Sequence, residues 1–85
     1  HLASSAASDV YKRQLLKVSI NKDSQTSVIE KASLSNATSV DVGQDFAIFE
    51  LTGSSKELDK FEALMKPFGI IEMVRGGRIA IQSNP

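Results

Sequence analysis

Residues 37–58, ATSVDVGQDFAIFELTGSSKEL, contain a predicted hairpin followed directly by a predicted helix. Two runs rich in β-branched and aromatic residues are separated by Gly43, Gln44 and Asp45, which is typical of neighbouring strands joined by a glycine-containing loop. Gly53 ends the second run. Ser54 and Glu57, three residues apart, have the spacing of a capping box, in which each side chain satisfies an exposed backbone N–H of the other residue. The segment therefore predicts strand, strand and helix in that order.

The residues before this segment predict a strand and a helix. LLKVSI, residues 15–20, alternates apolar and polar side chains with the period of two of a half-buried strand. In residues 21–34, Asp23 or Ser24 is a suitable N-cap, and Val28, Ile29 and Ala32 fall on one side of a helical repeat.

The residues after it complete the second helix and add one strand. The apolar positions of this helix line one face and end before Pro67 and Gly69; they are Leu58, Phe61, Leu64 and Met65. IIEMV, residues 70–74, predicts a last strand, which Gly76 and Gly77 interrupt as a bulge or bend before residues 79–81 resume extended structure.

The predicted order is strand, helix, strand, strand, helix, strand. Each helix has one apolar stripe, so the simplest arrangement is one antiparallel sheet with both helices on the same face. Right-handed crossovers then favour an α+β, ferredoxin-like (ACT-like) βαββαβ fold with strands one and three in the centre.

The alternation in the strands assigns side chains to the two faces of this sheet. Ala47, Phe49 and Leu51 should contact the helices. The opposite face should then present a mixed set of side chains, namely Phe46, Ile48 and Glu50 with Lys17, Ile70, Glu72 and Val74. Two interpretations stay open: a face that a protein partner covers, and an ordinary half-solvated sheet with scattered exposed apolar residues.

The Arg75-Gly76-Gly77-Arg78 segment is the second candidate site. Two guanidinium groups flanking two glycines could clamp a carboxylate or a phosphate, because arginine offers a planar fork of donors. The alternative is a β-bulge with two solvated arginines. Arg75, Arg78, Phe46 and Ile48 are accordingly the candidate residues of a partner interface.

Composition argues against several classes of function. The 85 residues have no cysteine and no formal net charge, and the single histidine is His1, so no acid–base dyad, metal site or phosphate-binding patch is predicted. Phe46 and Phe49 fall on opposite faces of their strand, which disfavours base stacking on the sheet. No apolar run approaches the roughly 18 residues of a membrane span, and we expect a cytoplasmic chain without catalytic, cofactor or metal residues.

Residues 1–14, HLASSAASDVYKRQ, lack any periodic apolar pattern. DVYKRQ also matches the translation of a transposon end that is used as a sequencing adapter. We therefore expect residues 1–14 to be a non-native or disordered segment that contributes nothing to stability, and residues 15–85 to form the domain.

Five segments together resemble the C-terminal domain of the small, regulatory subunit of acetolactate synthase (acetohydroxyacid synthase). They are LLKVSI, SVDVG, FELTG, KELDKFEALMKPFGI and EMVRGGRIAI, and the resemblance extends from Leu15 to Ser83. The chain departs from the family at Ser35 and Asn36, where many members have Phe-Arg.

The resemblance implies a regulatory domain in branched-chain amino-acid biosynthesis. It implies contacts with a catalytic subunit that binds thiamine diphosphate, Mg²⁺ and FAD, and a homodimer of small subunits, with no nucleic acid or membrane partner. In this family the effector site, typically for valine, lies chiefly in an N-terminal ACT domain, which we expect to have been cut off where the adapter-like segment begins. The alternative is a free-standing ACT-like module that binds a small molecule or RNA.

Overall fold

The computed structural model describes the backbone of residues 11–79 and the side chains of residues 11–76. The elements are β1 (Tyr11–Ser19), α1 (Gln25–Leu34), β2 (Thr38–Val42), β3 (Phe46–Gly53), α2 (Ser55–Met65) and β4 (Ile70–Ile79). A 3-10 turn, Lys66–Phe68, joins α2 to β4. The predicted order βαββαβ is confirmed.

The four strands form one antiparallel sheet in the order β2-β3-β1-β4. β1 and β3 are therefore central, as predicted for a ferredoxin-like fold. Residues 80 and 81, which were expected to continue the last strand, lie outside the described residues.

β1 begins at Tyr11, four residues before the predicted domain boundary at Leu15. Lys12 pairs with Gly53 of β3, and Tyr11 pairs with Ile79 of β4. The strand extends past the predicted boundary because β3 and β4 both continue beyond Leu15 and offer ladder hydrogen bonds to the chain between them. Residues 11–14 are thus part of the sheet. The assignment of residues 1–14 to a non-native segment stays a prediction.

The two helices begin with different capping arrangements. At α2 the capping box is confirmed: the Ser54 N–H donates to Glu57 Oε1 at 2.8 Å, and the Glu57 N–H donates to Ser54 Oγ at 3.3 Å. At α1 neither predicted residue caps the helix with its side chain. Asn21 Oδ1 instead accepts from the N–H groups of Asp23 and Ser24, while Ser24 Oγ accepts from the Asn21 N–H, so the polar groups close a turn in front of the helix.

The core lies between the sheet and the two helices. Phe49 of β3 and Phe61 of α2 are buried and pack edge to face, with ring centroids 6.2 Å apart. Leu58 and Met65 of α2 are also fully buried. Leu64 is 38% exposed, so its assignment to the core stripe was wrong; it lies about 100° around the helix from Met65 and reaches only the rim of the core.

Irregular pairing occurs on both edge strands. β2 shifts register between Ser39 and Asp41, and β4 shifts at Ile71 and again at Gly76–Gly77. The interruption predicted at the two glycines is therefore a β-bulge within one continuous strand. The bulge at Ile71 puts Ile70 in register with the buried Val18, so Ile70 packs against the core and its predicted place on the opposite face was wrong.

Among the described residues, no helix has both the length and the apolar character that crossing a membrane requires.

Candidate protein-interaction surfaces

The face of the sheet opposite the helices is called the outer face below, and apolar and charged side chains alternate in its centre. Leu15 of β1, Ile48 of β3 and Val74 of β4 border a shallow groove of about 190 Å³, with Lys17 and Glu72 at one end. Val74 is 52% exposed. These residues belong to three neighbouring strands, and the alternation of each strand directs them away from the helices.

Four charged side chains of the outer face have oppositely charged or aromatic neighbours within the chain. Arg13 Nε lies 3.0 Å from Glu50 Oε2. Lys17 Nζ lies 5.0 Å from the centre of the Phe46 ring, and Lys17 is the register partner of Glu72. The charges of these two cations and two carboxylates cancel on the outer face, and Asp41, opposite Ile48 in register, adds a carboxylate on the edge strand β2.

Phe46 is fixed in place by the hairpin that precedes it. Its ring occupies the space that a Cβ atom on Gly43 would need, and the Gly43 N–H donates to the Phe46 carbonyl at 2.8 Å. The ring is half-buried between the hairpin and Lys17. The prediction that Phe46 and Ile48 lie on the outer face is confirmed, whereas coverage of that face by a partner stays a prediction.

Arg75 lies on the helix side of the sheet, in a cluster that we call the arginine clasp: Arg75, Gln14, Asp59 and Glu62. The Nε and Nη2 atoms of Arg75 donate to Gln14 Oε1 at 2.9 and 2.7 Å. Nη1 lies 2.9 Å from Asp59 Oδ1, and Nη2 lies 3.6 Å from Glu62 Oε1, both on α2. The Arg75 side chain is only 22% exposed, so the interpretation of a freely solvated arginine was wrong for this residue.

The Gly76–Gly77 bulge determines the register on both sides of it. Arg75 pairs with Gln14 and Arg78 pairs with Lys12. Two residues of β4 therefore lie between these pairs, opposite one residue of β1. A Cβ atom on Gly76 would lie 3.3 Å from the Arg13 carbonyl oxygen, which indicates how closely the two strands approach at this point. The side chain of Arg78 lies outside the described residues, and its predicted contact with an acidic partner stays a prediction.

Gln14 is the residue of the arginine clasp that the sequence pattern was not used to predict. It is 1% exposed, and its Nε2 atom has no hydrogen-bond partner among the described residues, although Oε1 accepts from Arg75. The signal was present, because Gln14 is two residues before Leu16 and so continues the buried alternation of β1. A polar residue at a buried strand position requires a hydrogen-bond partner, and Arg75, opposite Gln14 on the neighbouring strand, provides it.

Two larger grooves lie on other parts of the surface. One, of about 650 Å³, separates the end of α1 from α2; it is bordered by the exposed Leu34 and Leu64 and by Ser35 and Asn36. The other, of about 790 Å³, is open and lies between the loop after β1 and the β2–β3 hairpin.

Within residues 11–79, no cluster of side chains suited to holding a metal ion is found.

The comparisons with known proteins agree on one family. The family described as the small subunit of acetolactate synthase matches residues 13–84. The acetolactate synthase small subunit of Mycobacterium bovis is 31% identical over 71 residues, which cover 84% of this chain and 42% of that protein. A probable acetolactate synthase small subunit of Archaeoglobus fulgidus is 31% identical over 67 residues, 79% of this chain and 42% of the relative.

A plant protein shows the same similarity over a smaller share of its length. The chloroplastic acetolactate synthase small subunit 1 of Nicotiana plumbaginifolia is 33% identical over 61 residues, 72% of this chain and 14% of that protein. The chain thus spans less than half the length of the relatives that it matches.

Proposed function

The chain belongs to the acetolactate synthase small-subunit family, and from this membership we propose that it acts as a regulatory, non-catalytic domain that contacts the catalytic subunit. The single observation that carries the proposal is the family match over residues 13–84, which includes β1 from Arg13 onward and the other five elements of the fold. Thiamine diphosphate, Mg²⁺ and FAD then belong to the catalytic subunit. The pathway served is the biosynthesis of valine, leucine and isoleucine, in the cytoplasm.

Two kinds of protein contact follow from this role: one with the catalytic subunit and one with a second small subunit. Phe46 and Ile48 on the outer face, and Arg78 near the end of β4, are the candidate contact residues. The contacts of Arg75 with Gln14, Asp59 and Glu62 favour a structural role for that residue, which fixes the path of β4 next to Arg78.

The test measures acetolactate formation by the catalytic subunit of the same organism with increasing amounts of the 85-residue chain. We expect the rate to rise to a plateau and the chain to be retained on the immobilised catalytic subunit. Phe49→Asp is the control, because a carboxylate at this fully buried position prevents folding and should abolish both effects.

Two outcomes contradict the proposal. The first is a rate that does not change at any concentration of folded chain, together with no retention on the catalytic subunit. The second is tight binding of a free amino acid or of RNA by a chain that ignores the catalytic subunit, which would support the alternative of a free-standing ligand-binding module.

A further inference from the structure

We propose that the groove between the end of α1 and α2, bordered by Leu34, Leu64 and Lys60 and called the helix groove below, is the docking site for an acidic segment of the catalytic subunit that carries a large apolar side chain. The inference deepens the proposed function, on which it rests, by assigning the contact with the catalytic subunit to one surface of the chain. Three observations carry it: the open groove, the apolar side chains at its edges and the lysines beside it.

The helix groove lies at the end of the domain where α1 finishes and α2 begins. Its volume is about 650 Å³, and Leu51 and Thr52 of β3 border it between the two helices. The Ser35 hydroxyl does not extend across the groove, because it donates to the Lys31 carbonyl of its own helix at 2.9 Å. A groove of this size has room for an anchoring side chain of a partner.

Two leucines at the edges of the helix groove are exposed among the described residues. Leu34, the last residue of α1, is 85% exposed, and Leu64 of α2 is 38% exposed. They border the same groove from different helices. Single exposed apolar residues are common, but two that border one groove form a joint apolar surface, which is typical of the centre of a protein interface.

Lysines without carboxylate partners lie beside the helix groove. Lys60 lines the groove, Lys56 lies one turn before it on α2, and among the described residues neither forms an ion pair. Lys12 is at the same end of the domain, because it pairs with Gly53, directly before the N-cap of α2. Within residues 11–76, Lys12 also forms no ion pair.

The carboxylates at this end of the domain are already engaged. Glu57 Oε1 accepts from the Ser54 N–H in the capping box. Glu50 pairs with Arg13, and both carboxylates of the arginine clasp face its guanidinium group. The charge that remains for a partner is therefore positive, and the complementary groups on that partner are carboxylates.

The opposite end of the domain has no such excess of cations. The loop after β1, the β2–β3 hairpin and the turn before β4 meet there through backbone hydrogen bonds of 3.1 and 2.7 Å. The two lysines of these segments, Lys22 and Lys66, are matched by Asp23 and Asp45. Positive charge is thus concentrated beside the helix groove, and this asymmetry favours an acidic segment over a neutral or basic one.

The experiment measures the affinity of the 85-residue chain for the immobilised catalytic subunit, together with the rate of acetolactate formation. The double variant Lys56→Glu with Lys60→Glu reverses two exposed charges beside the groove and should weaken binding by roughly tenfold or more. The matched control is Lys22→Glu with Lys66→Glu, which gives the chain the same total charge and should leave the affinity within about twofold of wild type.

A third variant, Leu34→Ser, measures the apolar contact without changing the charge. Leu34 is 85% exposed, so the fold should be unaffected, while the lost apolar contact should weaken binding several-fold. Raising the salt concentration should weaken binding of the wild type and of Leu34→Ser, because the Debye length falls from about 10 Å at 0.1 M to about 3 Å at 1 M. The double lysine variant should show a smaller dependence on salt. Circular dichroism should give the same spectrum and melting temperature for every variant.

The docking site and the proposed function fail in different ways. If the wild-type chain binds and activates the catalytic subunit and the double lysine variant does so equally well, or if the control variant is weakened as much, the docking site is overturned and the proposed function stands. A wild-type chain that neither binds nor activates overturns both.

Two other occupants of the helix groove are distinguished by the same variants. If the double lysine variant abolishes tight binding of an RNA oligonucleotide, or abolishes self-association in sedimentation velocity, while binding to the catalytic subunit is unchanged, the groove belongs to that other occupant and the proposal is overturned.

Discussion

Replacing Arg75 by alanine should destabilise the domain far more than replacing Arg13, although both arginines make ion pairs of similar length. The Arg13–Glu50 distance is 3.0 Å and the Arg75–Asp59 distance is 2.9 Å. The difference between the two residues is shielding from water, since the Arg13 side chain is 59% exposed and that of Arg75 is 22% exposed. Arg75 also donates twice to the buried Gln14 oxygen.

The magnitude follows from the hydrogen bonds and ion pairs that an alanine at position 75 cannot make. A hydrogen bond from a charged donor contributes about 1.5 to 3 kcal/mol, and Arg75→Ala would leave Gln14 Oε1 buried without a partner. The pairs with Asp59 and Glu62 add only about 0.2 to 1 kcal/mol each, because Asp59 is 66% exposed and the Glu62 contact is 3.6 Å long. We expect a loss of about 2 to 4 kcal/mol, against a total stability of roughly 4 to 12 kcal/mol for a chain of this length.

The assay is urea unfolding followed by circular dichroism, with thermal unfolding as a second readout. Arg75→Ala should lower the melting temperature by on the order of 10 to 20 °C, whereas Arg13→Ala should cost less than about 1 kcal/mol. The double variant Arg75→Leu with Gln14→Leu should recover most of the loss, because neither residue then leaves a buried polar group unpaired. Equal effects of Arg75→Ala and Arg13→Ala would refute the buried clasp.

Two further outcomes are expected from the same structure. Gly43→Ala should destabilise the β2–β3 hairpin by about 1 to 3 kcal/mol in urea unfolding, because its Cβ atom would overlap the Phe46 ring, and Gln44→Ala at the exposed neighbouring position should have little effect. A chain that starts at Leu15 should melt well below one that starts at Tyr11, because it loses the paired residues Lys12–Gln14 and the acceptor of Arg75; equal melting temperatures would instead support the expectation that residues 1–14 add no stability.

The sequence predicts the fold well where local patterns and packing agree. The alternation in β3 places Ala47 and Phe49 in the core and Ile48 on the outer face, and the capping box starts α2 where it was expected. In these segments each residue's local preference and its tertiary surroundings favour the same structure, so the sequence alone is sufficient.

The errors share a physical cause, which is that they depend on a neighbour distant in sequence. Ile70 changes sides because a bulge at Ile71 inserts one residue into the register with β1. Gln14 is buried because β3 and β4 both extend past it, and Leu64 is exposed because no element of residues 11–79 covers that side of α2. For Ile70 and Leu64, no pattern within a single strand or helix contains this information. For Gln14, the alternation of β1 indicates the side of the sheet but not how far the neighbouring strands extend.

The Gly76–Gly77 pair shows how one local feature determines both the clasp and the edge of the sheet. In a regular ladder, residues 75 and 78 would pair with two β1 residues that are also three positions apart. Those two β1 residues would lie on opposite faces of the sheet. The bulge makes Arg75 the partner of Gln14 and Arg78 the partner of Lys12. Gln14 and Lys12 are two positions apart and therefore belong to the same face of β1. It also interrupts the free edge of β4, which leaves the outer face as the regular surface of this half of the sheet. The two glycines, which were predicted to form a bulge or bend, therefore set the register of β4. Partner contacts of this region must be compatible with an arginine already held by α2.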